Sequence, residues 1–185
     1  MKYLATVALM LNLGVAGVHA QSKPVKMTFS GSVAFIALPP SLNPFPGTVT
    51  DEENFAGTGS LGRFTFHGFR TDKTAEESSN TCSPGPFARV AAASGVFRFE
   101  DGSLLTVTLT EGSLCLDLVA GRGKFSHAYR ITGGTGRFKN ASGSLAWTYT
   151  LRVVMADASN QPFFFAGTGE STGMVLGVAR EDDRE

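Results

Sequence analysis

Four polar-tipped side chains, His127, Tyr129, Trp147 and Tyr149, could line a reactive or binding surface. His127 and Tyr129 share one face of an extended strand with Phe125 and Ile131, and Trp147 and Tyr149 share one with Leu145 and Leu151. Turned inward, they would give an apolar cavity an imidazole, an indole and two phenols, groups that orient a small ligand. Phe64 and Phe66 alternate with Arg63, Thr65 and His67 and extend the same lining, as does Phe125. The plainer reading is that these residues fill the interior, with their polar ends at its rims. No catalytic role is assigned to any of them.

Other groups offer less. Asp117 lies between Leu116 and Leu118; buried, such a carboxyl could work as an acid or base. Its alternation with Cys115 and Val119 reads instead as a solvated outer position. Arg130, Arg152 and Glu170 read as outer-wall charges. The two cysteines, Cys82 and Cys115, cannot make a structural zinc site alone, and the three histidines stand at no ligand spacing to them, so no metal is expected. In an oxidising compartment they would pair, and the loop so closed would stabilise the fold by roughly 3–4 kcal/mol.

The stretch Ile131-Thr-Gly-Gly-Thr-Gly-Arg-Phe-Lys has the look of a dinucleotide-binding turn, in which glycines let backbone amides approach a pyrophosphate. The third motif glycine is missing, and the chain runs through Gly143 into an alternating strand rather than a helix. Lys139 precedes Asn140, not serine or threonine, so a phosphate-binding loop fails too. Gly133, Gly134 and Gly136 are therefore read as a corner of a sheet, Arg137 and Lys139 as solvated turn residues, and no cofactor is expected.

These residues need a frame. Met1-Lys2, an apolar run from Leu4 to Val18 and the small-residue site Val18-His19-Ala20 read as a signal peptide over 1–20, which implies a secreted or periplasmic protein. Uncleaved, the run could anchor the chain, but it is short for a membrane span and no later segment is long enough. Residues 21–179 form one domain and 180–185 a charged flexible tail. Sixteen basic residues balance sixteen acidic ones with no basic stripe, which speaks against a nucleic-acid partner.

Within the domain, short alternating runs follow one another. They begin at Met27–Ile36, Arg63–Phe69 and Val96–Glu100, the last closed by an Asp101-Gly102 type I′ hairpin turn. Leu105–Leu109, Leu114–Ala120, Lys124–Thr132 and Leu145–Met155 follow, then a strand pair over Pro162–Val178 broken near Gly167 to Gly173. Residues 37–59, with Pro39, Pro40, Pro44 and Pro46, read as excluded from inner strands, and 70–94 as a long polar loop. Eight or nine strands without a helix favour an all-β fold: a single closed antiparallel barrel.

The stretches ITGGTGRFKNASGS, GSLGRFTF at 59–66 and FEDGSLLTVTLTEG at 99–112 resemble secreted bacterial proteins of the allene oxide cyclase-like and dirigent-like barrel group. That resemblance implies an eight-stranded antiparallel barrel of calycin type over roughly residues 27–178. It also implies cofactor-free function, an apolar cavity folding a reactive substrate.

Two roles are thus expected: non-enzymatic binding of a small apolar molecule or a structural role, and, as the alternative, a cofactor-independent cyclase or isomerase. Apolar residues on both faces of several strands, among them Leu104 with Leu105, Val154 with Val153 and Met155, and Phe163–Phe165, point to a homo-oligomer.

Overall fold

Alternation runs further along the chain than the short segments suggest, and the runs lengthen into long strands, Leu105–Leu109 and Leu114–Ala120 merging into one. A computed structural model describes residues 21–36, 47–73, 82, 85–117 and 119–179. The expected signal peptide over 1–20 and the expected tail over 180–185 lie outside the described residues, as do 37–46, 74–81, 83–84 and 118. The strands are β1 (Gln21–Ile36), β2 (Thr48–Gly59), β3 (Phe64–Lys73), β4 (Phe87–Phe99), β5 (Leu104–Asp117), β6 (Arg122–Gly134), β7 (Ser142–Ala156) and β8 (Pro162–Val178). Each pairs antiparallel with the next, and β8 returns to β1, with Gln21 opposite Val178, so the sheet closes into an eight-stranded barrel without a free edge. No α-helix occurs among the described residues.

Four expectations are corrected. Residues 48–59 form β2, because the prolines stop at Pro46 and the following β-branched residues can pair with both neighbours. The supposed polar loop from residue 70 begins inside β3 and ends with β4 already under way at Phe87. β8 is one continuous strand, its glycines lying against β1 and β7 rather than breaking it. At the β4–β5 hairpin only Gly102 has positive φ, +79°, so the turn is not type I′; Asp101 accepts from the Ser103 amide through its side chain instead.

The inward positions of all strands supply the core. Trp147 is fully buried at its centre, with ring centroids 4.4 Å from Phe29, 4.8 Å from Phe66 and 5.5 Å from Phe97. Mixed tilted and edge-on contacts of this kind are favoured over face-to-face stacking.

The barrel's two ends differ. At the far end the glycine corner packs a single 3-10 turn, Gly136–Phe138, across the opening. A Cβ on Gly134 would lie 2.2 Å from the Leu104 carbonyl, and Gly136 has φ +57°, so both positions require glycine. Phe138 is fully buried against Phe99, centroids 4.8 Å apart, and plugs this end. Arg137 is not the solvated side chain expected. It lies over the Phe99 and Phe138 rings, donates to the Leu61 carbonyl and stands 3.3 Å from Asp101. Arg137→Ala should therefore cost about 1–3 kcal/mol, whereas Lys139→Ala, at an exposed position, should stay within about 0.5 kcal/mol of the parent in urea unfolding. The opposite end is open, and the chemistry lies there.

Candidate functional site

The alternation that buries Phe64 and Phe66 continues through β3 to Arg70 and Asp72, so the strand carries both charged residues to the inner face. In β2 the same period turns Asp51, Glu53 and Phe55 inward and leaves Glu52 and Asn54 facing out. Asp51 is the register partner of Arg70. Arg70 and Glu53 are each 1% exposed, Asp51 is fully buried and Asp72 is 5% exposed.

Arg70 organises the group with its fixed fork of donors. Its Nε donates to Asp72 Oδ2 at 3.0 Å, and its Nη1 to Glu53 Oε1 at 2.9 Å and to the Tyr149 hydroxyl at 2.6 Å. Its Nη2 is paired with both Asp51 and Asp72. Tyr149 in turn donates to Glu53 Oε1 at 2.7 Å, and the guanidinium carbon stands 4.5 Å from the centre of the Phe125 ring.

Three carboxyls face one guanidinium, and that imbalance governs protonation. Burial, opposed by Arg70 and reinforced by Asp72 and Glu53, raises the Asp51 pKa to about 8, so at neutral pH Asp51 is a carboxylic acid hydrogen-bonded to Asp72. Burial raises Glu53 too, against the pull of Arg70. Burial also works against the charge of Arg70, but Asp72, Tyr149, Asp51 and Glu53 hold it protonated. Deeper in, His127 Nδ1 is 3.2 Å from the Tyr129 hydroxyl; burial, and then Arg70, keep His127 neutral far below its usual range.

Above this cluster lies a cavity of about 310 Å³, open at the mouth of the barrel. Its walls are apolar, with Leu114, Leu116, Phe125, Leu151 and Phe165 prominent, and Arg70 and Asp72 lie in its lining. Asp117 and Arg122 stand at its rim. Asp117 is thus not an outer-wall residue: it accepts from the Ala120 amide at 2.9 Å and from Arg122 at 3.4 Å, closing the β5–β6 turn. Arg130, Arg152 and Glu170 are exposed on the outer wall.

The barrel is similar to two solved dirigent proteins. The pterocarpan synthase dirigent protein GePTS1 is 14% identical with a TM-score of 0.48, the match covering 88% of each chain. PsPTS1, another pterocarpan synthase dirigent protein, is 16% identical with a TM-score of 0.46, covering 86% of this chain and 97% of its own. No family model and no curated protein matches the chain. What the site does is therefore read from its own side chains.

Of the seven aromatic and imidazole residues expected to line a pocket, Phe125 lines the mouth cavity. Phe64, Phe66, His127, Tyr129, Trp147 and Tyr149 are buried in the packed interior, and Tyr149 reaches the charge cluster through its hydroxyl. Their polar ends lie within the barrel, not at its rims. The residues missed were Asp51, Glu53, Arg70 and Asp72. A signal for them exists: continuing the period of Phe64 and Phe66 by two steps of two beyond Gly68 reaches Arg70 and Asp72. Cys82 and Cys115 are both thiols here, so the expected bridge is not formed in this structure. The Cys82 thiol donates to the Pro86 carbonyl at 3.2 Å, and burial, followed by the neighbouring Cys115 thiol, pushes Cys82 up to about 11.

Proposed function

We propose that this chain is an exported barrel that binds one small, mostly apolar molecule in the mouth cavity, its polar group set against Arg70 and Asp72. The supporting observation is an apolar-walled opening whose charged lining is already buried and hydrogen-bonded. A preformed cluster of this kind adds orientation to burial at little ordering cost. The test is fluorescence titration with N-phenyl-1-naphthylamine, a neutral apolar probe. Saturable binding with a Kd on the order of micromolar is expected, weakened at least about tenfold by Val153→Trp, which narrows the opening. A parent that shows no saturable binding, or a variant that binds as well as the parent, would sink the reading.

A cofactor-independent cyclase or isomerase is the second reading, and the neutral Asp51 favours it. A carboxylic acid that keeps its proton to about pH 8 can pass it to Asp72 and so to a substrate oxygen in the cavity at neutral pH.

The export reading takes the cysteines to a further expected result. Oxidation of the two neighbouring thiols by a disulfide donor would tie Cys82 to β5 beside Pro86 and Leu116, both cavity residues. Protein expressed in an oxidising compartment should contain no alkylatable thiol until reduced, and reduction should lower stability by roughly 3–4 kcal/mol. Two thiols alkylated without reductant would refute this.

A further inference from the structure

Six large apolar side chains that the fold leaves in water gather at one end of the barrel. They are Phe35 (41% exposed), Val49 (38%), Val119 (101%), Val154 (55%), Met155 (52%) and Phe163 (37%). Phe35 ends β1, Val49 begins β2, Val119 caps the β5–β6 turn, and the other three flank the β7–β8 turn. All therefore surround the mouth. Met174 and Leu176 are exposed near the other end, and Phe69 on the side wall. Of the residues expected to mediate self-association, Leu105 is fully buried, while Leu104 and Phe165 are half-buried, Phe165 packing on Phe35 at 5.2 Å. The exposed remainder belongs to this collar.

Cations accompany it. Arg122 and Arg152 are register partners across β6 and β7, an arrangement in which like charges repel. Both line a groove of about 660 Å³ on the outer wall, together with Thr150, Thr168 and Val154. Carboxylates near the mouth are already engaged: Asp117 with Arg122, Glu52 with His67 at 2.8 Å, and Asp157 with the amides of its own turn. Among the described residues no carboxylate pairs with Arg152. An apolar ring adjoined by Arg152, which no described carboxylate neutralises, and by Arg122, exposed and 3.4 Å from Asp117, matches an anionic bilayer surface, whose phosphates lie just outside its apolar layer.

We propose that the mouth of the barrel docks on an anionic lipid surface, with Val119, Val154, Met155 and Phe163 entering the apolar layer and Arg122 and Arg152 meeting lipid phosphates. The cavity then opens toward the layer in which apolar molecules collect. The docking surface itself stands whether or not the cavity binds a ligand.

The test is co-sedimentation of the chain from Gln21 onward, which contains the whole closed barrel and lacks the leader's own apolar run. Vesicles of phosphatidylglycerol mixed with phosphatidylcholine should bind it at low salt, and added salt should weaken binding. Arg122→Gln with Arg152→Gln should weaken it about thirtyfold, from the attraction each cation gains near an anionic surface. Val154→Ser, Met155→Ser and Phe163→Ser together should abolish binding, while Met174→Ser with Leu176→Ser should leave it unchanged; circular dichroism checks that each variant is folded. Equal binding to pure phosphatidylcholine, no binding by the parent, or equal loss in the far-end variant overturns the proposal. So does a dimer by sedimentation equilibrium that the collar variant dissociates while the parent ignores vesicles. If the collar variant does not fold, the parent's lipid preference and salt dependence decide.

Discussion

Replacing Arg70 by methionine should destabilise the barrel by about 3–5 kcal/mol, the cost typical of removing one partner from a buried ion group. Methionine can follow the path of the side chain and keep a contact with Phe125, so lost packing is a small part of the effect. What disappears is the cation facing Asp51, Glu53 and Asp72, together with the donors that satisfy their oxygens and the Tyr149 hydroxyl. The carboxyls cannot move to water, because β2 and β3 hold them on the inner face. They must take up protons or draw water into the barrel, and both are costly. Urea unfolding at neutral pH measures the loss. Adding Asp51→Asn and Glu53→Gln to the methionine variant should recover part of it, since fewer buried groups then need a countercharge. A loss below about 1 kcal/mol, typical of exposed pairs, would mean that the cluster is solvated.

The sequence shows the barrel more readily than the cluster, and the reason is physical. Closure follows from alternation repeated in β5, β6 and β7, where Leu105, Val107, Phe125, Tyr129, Trp147 and Leu151 mark the inner face directly. A period of two is a property of the backbone, so it survives any choice of side chain. The cluster hides because charged residues ordinarily mark the outside of a strand, and here they continue the inside. Arg70, Thr71, Asp72 and Lys73 therefore read as the start of a loop, although the ladder with β2 continues through Lys73 opposite Thr48. Asp51 and Glu53 hide for another reason: Pro39, Pro40, Pro44 and Pro46 make the whole of 37–59 read as excluded from the inner strands. Only pairing across β2 and β3 shows that two of these carboxyls meet a guanidinium, and such pairing depends on register. The glycine corner is the converse case: its glycines declare a backbone role, but the burial of Arg137 depends on Phe99, Asp101 and Leu61, distant in sequence.

Asp51→Asn should change how stability depends on pH. In the folded barrel burial raises the Asp51 pKa to about 8, against an ordinary value of 3.8. Between those limits the folded chain keeps a proton that the unfolded chain has released, so raising the pH takes stability from the fold. The contribution is complete below the ordinary value, where both states are protonated, and gone above the raised one, where both are ionised. For one proton the slope can reach about 1.4 kcal/mol per pH unit. Asparagine preserves the neutral shape and a donor toward Asp72 but cannot titrate. Glu53, also raised by burial, has the same sign. His127, kept neutral by burial and Arg70, has the opposite one: its contribution is lost as the pH falls through the ordinary imidazole range. Subtracting the variant's curve from the parent's removes both to first order and leaves the Asp51 contribution. Urea unfolding of the two proteins from about pH 5 to about pH 8 should show the parent's advantage shrinking steadily as the pH rises. Parallel curves would show that Asp51 is already ionised inside the fold, and an acid catalyst could not then be drawn from it.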